Sequence, residues 1–377
     1  MKTFVFPGQG SQSRGMGGTL FDEFREFTAK ADAVLGYSIK ELCLQDPRGE
    51  LSKTQFTQPA LYVVNALTYF KKLQETGRKP DFLAGHSLGE FDALLAAECF
   101  DFETGLRLVQ KRGELMSHAS NGGMAAILNA SKEEIETLLS SRGLNNIDLA
   151  NYNTPSQIVI SGLLEEIGKA QGLFQGKMLY YPLNTSGAFH SRFMRPAREE
   201  FQTYLNSFTF HAPKIPVIAN VTARPYEPDR IAETLASQIT STVRWSESIQ
   251  YLLGLDTGAE SMEFEEIGYG GVLTKLVHNI RQHFLKAPKA STPPQTATVT
   301  PLRTAPTRPT QTGADDAATK VSEWNKRFPV GTRVKSTAAG YKDLETRTPA
   351  VVLFGHRAAV YMLGYGGYFD LEEITPA

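Results

Sequence analysis

Residues 85 to 89 read Gly-His-Ser-Leu-Gly, a G-x-S-x-G pentapeptide. A serine in that spacing becomes a nucleophile on a sharp strand-to-helix turn, where its hydroxyl stands clear of the backbone. The flanks fit such a turn. Phe82-Leu83-Ala84 is a short apolar run suited to a buried strand, and Leu88, Phe91, Leu94, Leu95 and Cys99 fall on one helix face. The free N–H groups and partial positive charge at that helix end would favour an oxyanion. A Gly-rich turn without function is the plainer reading of the pentapeptide alone.

A serine nucleophile needs a base, and the chain holds seven histidines: His86, His118, His190, His211, His278, His283 and His356. His86 adjoins Ser87, but neighbours on an elbow point apart, which makes it a poor base. His190 lies in Ser186-Gly-Ala-Phe-His-Ser191, a small-residue stretch before a helix starting near Arg192. A loop at a sheet edge suits a base that reaches across to another element. A hydrogen-bonded loop histidine is the alternative. An oxyanion hole needs two backbone N–H groups. One is expected from Leu88, after the serine. The second could come from the Gly-rich loop Phe6-Pro-Gly-Gln-Gly-Ser-Gln12, which follows the first strand, where α/β folds place ligands. That loop lacks the Gly-Lys-Ser/Thr of a phosphate loop and the G-x-G-x-x-G of a dinucleotide site. Arg112 sits on the next helix and by itself reads as a solvated-face residue. Turned inward, its planar fork would pair bidentately with a carboxylate.

The elements that must position these residues form three textures. Up to about residue 283, apolar strands (Thr3–Phe6, Phe82–Ala84, Met124–Ile127, Ile158–Ile160, Val217–Ala219, Met262–Ile267) alternate with amphipathic helices (Phe56–Lys72, Phe102–His118, Lys132–Ser140, Met194–Leu205). That alternation predicts an α/β architecture with a largely parallel sheet. Residues 284–320, rich in Pro and Thr, predict a disordered linker. Residues 321–377 predict a small all-β module, an SH3-like barrel being one candidate, in which Arg357, Tyr361, Tyr365 and Tyr368 form either a binding face or core and rim.

Composition bounds the function. Lys plus Arg number 39 and Asp plus Glu 40, a net charge of −1, which gives no reason to expect nucleic acid or an anionic membrane as partner. Cys43 and Cys99 supply neither a disulfide framework nor metal-ligand spacing, so no metal is expected. No stretch reaches the length of a membrane span. Met1–Phe6 stops at Pro7, too short for a signal peptide, so a cytoplasmic protein is expected.

Taken together, these residues resemble the malonyl-CoA:acyl carrier protein transacylase family. Phe6–Gln12, Gln55-Phe-Thr-Gln-Pro-Ala-Leu61, Gly85-His-Ser-Leu-Gly-Glu90, Asn151-Tyr-Asn-Thr-Pro-Ser-Gln-Ile-Val-Ile-Ser-Gly162, Gly187-Ala-Phe-His-Ser191, Gln238 with Val243-Arg-Trp245, and Glu266-Ile-Gly-Tyr-Gly270 resemble its landmarks in its order. The free-standing form and the Ala-Phe-His-Ser block most resemble the trans-acting acyltransferases of modular polyketide synthases.

The resemblance implies a role for each residue. Ser87 would be the nucleophile that takes malonyl from coenzyme A, and His190 its general base and acid. Gln238 would orient His190 through its backbone carbonyl. Gln9 and Leu88 would supply the oxyanion-hole N–H groups, and Arg112 would bind the malonyl carboxylate. Asn151, Phe189 and His86 would line the pocket. No tightly bound cofactor is implied. Malonyl-CoA would be the substrate and an acyl carrier protein the partner, in polyketide or fatty acid biosynthesis, by ping-pong transfer. The implied fold is a large α/β-hydrolase-like subdomain (1–122 and 191–283) with a ferredoxin-like one (123–190) inserted. Phe189 and Leu88 fit malonyl over methylmalonyl. The family's Gly-Pro-Gly is Gly268-Tyr-Gly270 here, expected to cause a modest local change. The C-terminal module has no counterpart in simple transacylases and could dock to polyketide synthase modules. The nearest rival is an acyl hydrolase of the same fold, which would have no use for a buried Arg112.

Overall fold

The computed structural model describes residues 1–185, 187–255, 261–286, 313–336, 344–346, 350–353, 357–362, 368–371 and 374–376. The chain divides into two compact units, Met1–Thr292 and Pro293–Ala377.

Among the described residues the first unit holds nine strands: β1 (Lys2–Phe6), β2 (Phe82–Gly85), β3 (Gly122–Leu128), β4 (Asp148–Thr154), β5 (Gln157–Leu163), β6 (Leu179–Leu183), β7 (Val217–Ala219), β8 (Arg224–Pro225) and β9 (Glu263–Glu266). Five of them form one sheet in the order β8-β7-β2-β1-β9. β1 runs parallel to β2 and β9, and β2 runs parallel to β7; only β8 is antiparallel. Helices cover both faces, so the runs Thr3–Phe6 and Leu83–Ala84 are buried throughout and read as continuous apolar stretches. The Thr54–Thr76 and Phe102–Ser117 helices pack together over one face, with Leu61, Tyr62, Leu106 and Val109 in the main core. The opposite face lies under Trp245, Ile249, Leu252 and Val277.

β3 to β6 form a second, antiparallel sheet in the order β4-β5-β3-β6, with the Lys132–Ser141 helix between β3 and β4 and the Leu164–Ala170 helix between β5 and β6. The period-2 alternation of a strand splits its residues between two cores. Ala125 and Ile127 pack under those helices with Ile135, Leu139, Ile158 and Ile160. Met124 and Ala126 face the other way and join the main core with Ala150 and Val159. Ser131 and Glu134 form a capping box that starts the Lys132–Ser141 helix. An isolated bridge between Asn151 and Val243 ties the second sheet to the segment just before the Trp245–Gly254 helix.

The C-terminal unit departs from the all-β expectation. Among the described residues a helix, Gly313–Arg327, precedes two three-stranded sheets built from β10 (Arg333–Ser336), β11 (Leu344–Glu345), β12 (Val351–Leu353), β13 (Arg357–Tyr361), β14 (Tyr368–Asp370) and β15 (Ile374–Pro376). The sheets run β11-β10-β15 and β12-β13-β14. Val321 and Trp324 of the helix pack on Val334, Leu344, Val360, Met362 and Ile374. Two sheets this small cannot enclose a core unaided, and the helix supplies the missing cover. Asn325 ties it down by donating to the Ala350 carbonyl (2.8 Å) and accepting from its N–H (2.7 Å). At the two ends of the expected linker 284–320, one helix runs through Lys286 and another starts at Gly313. Residues 287–312, Tyr365 and the side chains of Arg357, Tyr361 and Tyr368 lie outside the described residues. No described helix is long and apolar enough to cross a membrane, and no described group of His, Cys, Asp and Glu could hold a metal ion.

Candidate active site

The pentapeptide forms the turn between β2 and the Gly89–Ala96 helix. Ser87 has φ +52°, a left-handed conformation that costs a non-glycine residue on the order of 1–3 kcal/mol. Main chain packs against main chain around it. A Cβ on Gly8 would sit 2.3 Å from the His86 carbonyl oxygen, and one on Gly89 would sit 2.0 Å from that of Phe6. The end of β1 is thereby held directly against the turn. The amides of Gln9 and Leu88 donate no hydrogen bond within the chain, among the described residues.

Asn220, one residue beyond β7, fixes the turn from below. Its Oδ1 accepts from the Ser87 N–H (2.7 Å) and its Nδ2 donates to the Gly85 carbonyl (2.6 Å). The Gly-Tyr-Gly turn backs onto Pro7, since a Cβ on Gly268 would lie 2.8 Å from the Pro7 ring and 2.2 Å from Asn65 Oδ1. Asn65 in turn donates to the Pro7 carbonyl at 3.0 Å.

His190 reaches Ser87 from the loop after β6, itself at φ +56°. Its Nε2 lies 2.8 Å from Ser87 Oγ, and its Nδ1 lies 2.8 Å from the Gln238 carbonyl oxygen. A carbonyl only accepts, so Nδ1 carries the hydrogen and Nε2 presents a lone pair to the hydroxyl. Burial, and then the nearby Arg112 charge, push His190 down to about 3, so the imidazole is neutral at physiological pH.

Arg112 is 1% exposed, which rules out the solvated-face reading. Its Nη2 donates to Ser87 Oγ (3.1 Å) and to Gln238 Oε1 (2.8 Å), and its Nη1 donates to Gln58 Oε1 (2.7 Å). Nε has no partner among the described residues, and no carboxylate is in ion-pair contact with the guanidinium. Burial lowers Arg112 to about 10, which still leaves it a cation at neutral pH.

These groups line a cavity of about 100 Å³ bounded by Gln9, Gln58, His86, Ser87, Leu88, Arg112, Met116, Met124, Asn151, Leu183, Thr185, Phe189 and His190. All nine residues singled out in the sequence converge here: eight touch the cavity, and Gln238 stands behind Ser87 and Arg112. His86 faces away from the hydroxyl, with Nε2 2.8 Å from Asn153 Oδ1 and its ring against Trp245. A larger cleft of about 630 Å³, lined by Asp148, Arg192, Thr242 and Arg244, shares His190 with the small one. The serine and the guanidinium lie in the small cavity.

Sequence reasoning missed the roles of Gln58, Glu90 and Asn220. Gln58 and Glu90 lie inside motifs already noted for other residues. Asn220 had one available signal, its place at the C-terminal end of a parallel strand. Arg112 also had one: Gly105, Leu108, Val109, Arg112 and Met116 lie on one helix stripe, and all are buried.

A serine on a strand-to-helix turn, within hydrogen-bond reach of a buried histidine and with a cation in the same cavity, is the arrangement by which nucleophilic acyl transfer is catalysed. The chain belongs to the acyl transferase domain family, which it matches over residues 3–279. It is 57% identical over 285 residues to a polyketide biosynthesis malonyl CoA-acyl carrier protein transacylase of Bacillus subtilis, covering 75% of this chain and 98% of the relative. A malonyl CoA-acyl carrier protein transacylase structure from Burkholderia pseudomallei matches with a TM-score of 0.74 at 62% identity, covering 76% of this chain and 99% of that one. A malonyl-transacylase in complex with its type II polyketide synthase acyl-carrier protein matches with a TM-score of 0.70 at 33% identity, covering 74% and 93%.

Proposed function

We propose that this chain moves a malonyl group from malonyl-CoA to the phosphopantetheine thiol of an acyl carrier protein in polyketide biosynthesis, through an ester on Ser87. The observation that carries the reading is one hydroxyl held between His190 Nε2 (2.8 Å) and the Arg112 guanidinium (3.1 Å) at the wall of one cavity. Arg112 donates to Ser87 Oγ, so the serine proton points at His190, the direction that deprotonation requires.

In the first half reaction His190 takes that proton and Oγ attacks the thioester carbonyl. The oxyanion sits between the unengaged amides of Gln9 and Leu88, a contribution on the order of 3 kcal/mol per donor. The C–S bond then breaks, and His190 returns the proton to the departing coenzyme A sulfur. In the second half the carrier thiol gives its proton to His190 and attacks the malonyl-serine ester, and Oγ leaves reprotonated. The malonyl carboxylate accepts from Arg112, whose five N–H donors are only partly engaged by Gln58, Gln238 and Ser87. A neutral-acyl hydrolase has no need of that cation. Asn151, Phe189 and His86 shape the pocket.

The strand, helix, strand, strand, helix, strand order of Gly122–Leu183 supports a ferredoxin-like insertion, and the elbow on a largely parallel sheet supports an α/β-hydrolase-like remainder. The test is intact-protein mass spectrometry after brief mixing with malonyl-CoA. A malonyl adduct is expected on the wild type and not on Ser87→Ala. An adduct that persists in Ser87→Ala refutes the nucleophile assignment.

A further inference from the structure

A buried guanidinium without a carboxylate in contact is costly unless its charge is compensated. The buried acid whose charge acts on Arg112 is Glu90, the second residue of the Gly89–Ala96 helix. It is fully buried and does not touch Arg112; the Gln238 side chain stands between them. Gln238 Oε1 accepts from Arg112 Nη2 (2.8 Å), and its Nε2 donates to the Ser87 carbonyl (2.8 Å) and to Glu90 Oε2. Glu90 Oε1 accepts from the Asn220 N–H at 2.9 Å. The Glu90 carboxylate thus meets only donors, the Gln238 amide, the Asn220 N–H and the neighbouring buried Tyr226 hydroxyl, and the first two of these also hold the turn at Ser87.

The geometry has a direction. Turned the other way, the Gln238 amide would aim its oxygen at a carboxylate and its NH₂ at a guanidinium, two repulsive contacts in a low-dielectric interior. We propose that Glu90 is a positioning residue whose carboxylate, acting through the Gln238 amide, holds the Arg112 guanidinium toward the cavity and so sets the preference for acyl chains that end in a carboxylate. A direct Glu90–Arg112 ion pair would occupy the fork. A relayed one leaves donors free for substrate and keeps compensating charge nearby. Burial pushes the Glu90 carboxyl up to about 7, against the pull of its donors, so it carries its full charge only above that pH, and loading is compared at pH 8. The proposal rests on the reading of Arg112 as the malonyl-carboxylate site.

The test compares acyl loading from malonyl-CoA and acetyl-CoA in the wild type, Glu90→Gln, Arg112→Ala and the double variant. Labelling of Ser87 by an uncharged serine-directed fluorophosphonate controls for an intact elbow. In Glu90→Gln the malonyl-to-acetyl ratio is expected to fall about 10-fold while fluorophosphonate labelling persists. Adding Glu90→Gln to Arg112→Ala is expected to change that ratio no further, since coupled residues are not additive. A ratio that stays at the wild-type value in Glu90→Gln, or malonyl and acetyl loading that fall together, would overturn the role of Glu90. If Glu90→Gln does not fold, Glu90→Asp, which keeps the charge and withdraws it by one methylene, is expected to lower the ratio partway; an unchanged ratio there overturns the role equally. Should Arg112→Ala keep the wild-type ratio, the carboxylate reading of Arg112 itself fails, and that outcome is separate from the first.

Discussion

Replacing Arg112 by Ala removes a cation that is 1% exposed and makes three side-chain contacts. A hydrogen bond to a charged group contributes about 1.5–3 kcal/mol, and a malonyl carboxylate can accept two from the fork. The truncation opens space in which water partly solvates the carboxylate, so a loss of about 3–4 kcal/mol is the reasonable sum. At 1.4 kcal/mol per decade this is roughly a 10²–10³-fold fall in kcat/KM for malonyl transfer. Acetyl-CoA has no carboxylate and loses only the Arg112 contact to Ser87 Oγ. Its kcat/KM should stay within about 10-fold, all the more because removing the cation makes His190 a stronger base. The assay is single-turnover loading of the two thioesters, read by mass. If kcat/KM falls by the same factor for both, Arg112 serves the serine or the fold and not the substrate carboxylate, and the reasoning is wrong.

Two further outcomes follow from the same cavity. Phe189 is buried beside His190 and lines the pocket, so Phe189→Ser should raise methylmalonyl loading relative to malonyl. Steric exclusion of one methyl group is worth about 1–3 kcal/mol, so a gain of up to roughly 10²-fold is expected in a competition assay, and an unchanged ratio refutes the steric account. His190 is held down to about 3, so its neutral, active form survives as pH falls and is lost only below that value. The rate of fluorophosphonate labelling of Ser87 should therefore stay flat from pH 8 to pH 5, and a half-titration near 6.5 would show an ordinary imidazole instead.

The parts of the fold legible in the sequence were those whose burial is local and periodic. Phe82–Ala84 and Met124–Ile127 are covered on both faces and show as unbroken apolar runs. The elbow was legible because its glycines and its serine are adjacent in the chain. Arg112 by itself was ambiguous, since a charge on a helix is usually solvated, and its meaning depended on Gln238 more than a hundred residues away. Asn220 offered only its place at the end of a parallel strand, because its partners Ser87 and Gly85 are likewise more than a hundred residues away. In the C-terminal unit the Ala, Asp and Thr residues at the start of the Gly313–Arg327 helix look like the linker before them, and Val321 and Trp324 show an apolar stripe only once that helix is drawn. β11 and β15, two and three residues long, carry too little pattern to register.

The close approach of Gly8, Gly85 and Gly89 has a consequence for how such a chain can diversify. Where main chain meets main chain at the van der Waals limit, no side chain remains to be varied, and the spacing between the β1 loop and Ser87 is common to every sequence that keeps the three glycines. The cavity wall is different. Met116 comes from the Phe102–Ser117 helix, Met124 and Leu183 from the second sheet, and Phe189 from the loop that follows it. Reaction geometry is invested in backbone and acyl choice in side chains of other elements, so the wall can drift through many substitutions while the reacting atoms keep their places.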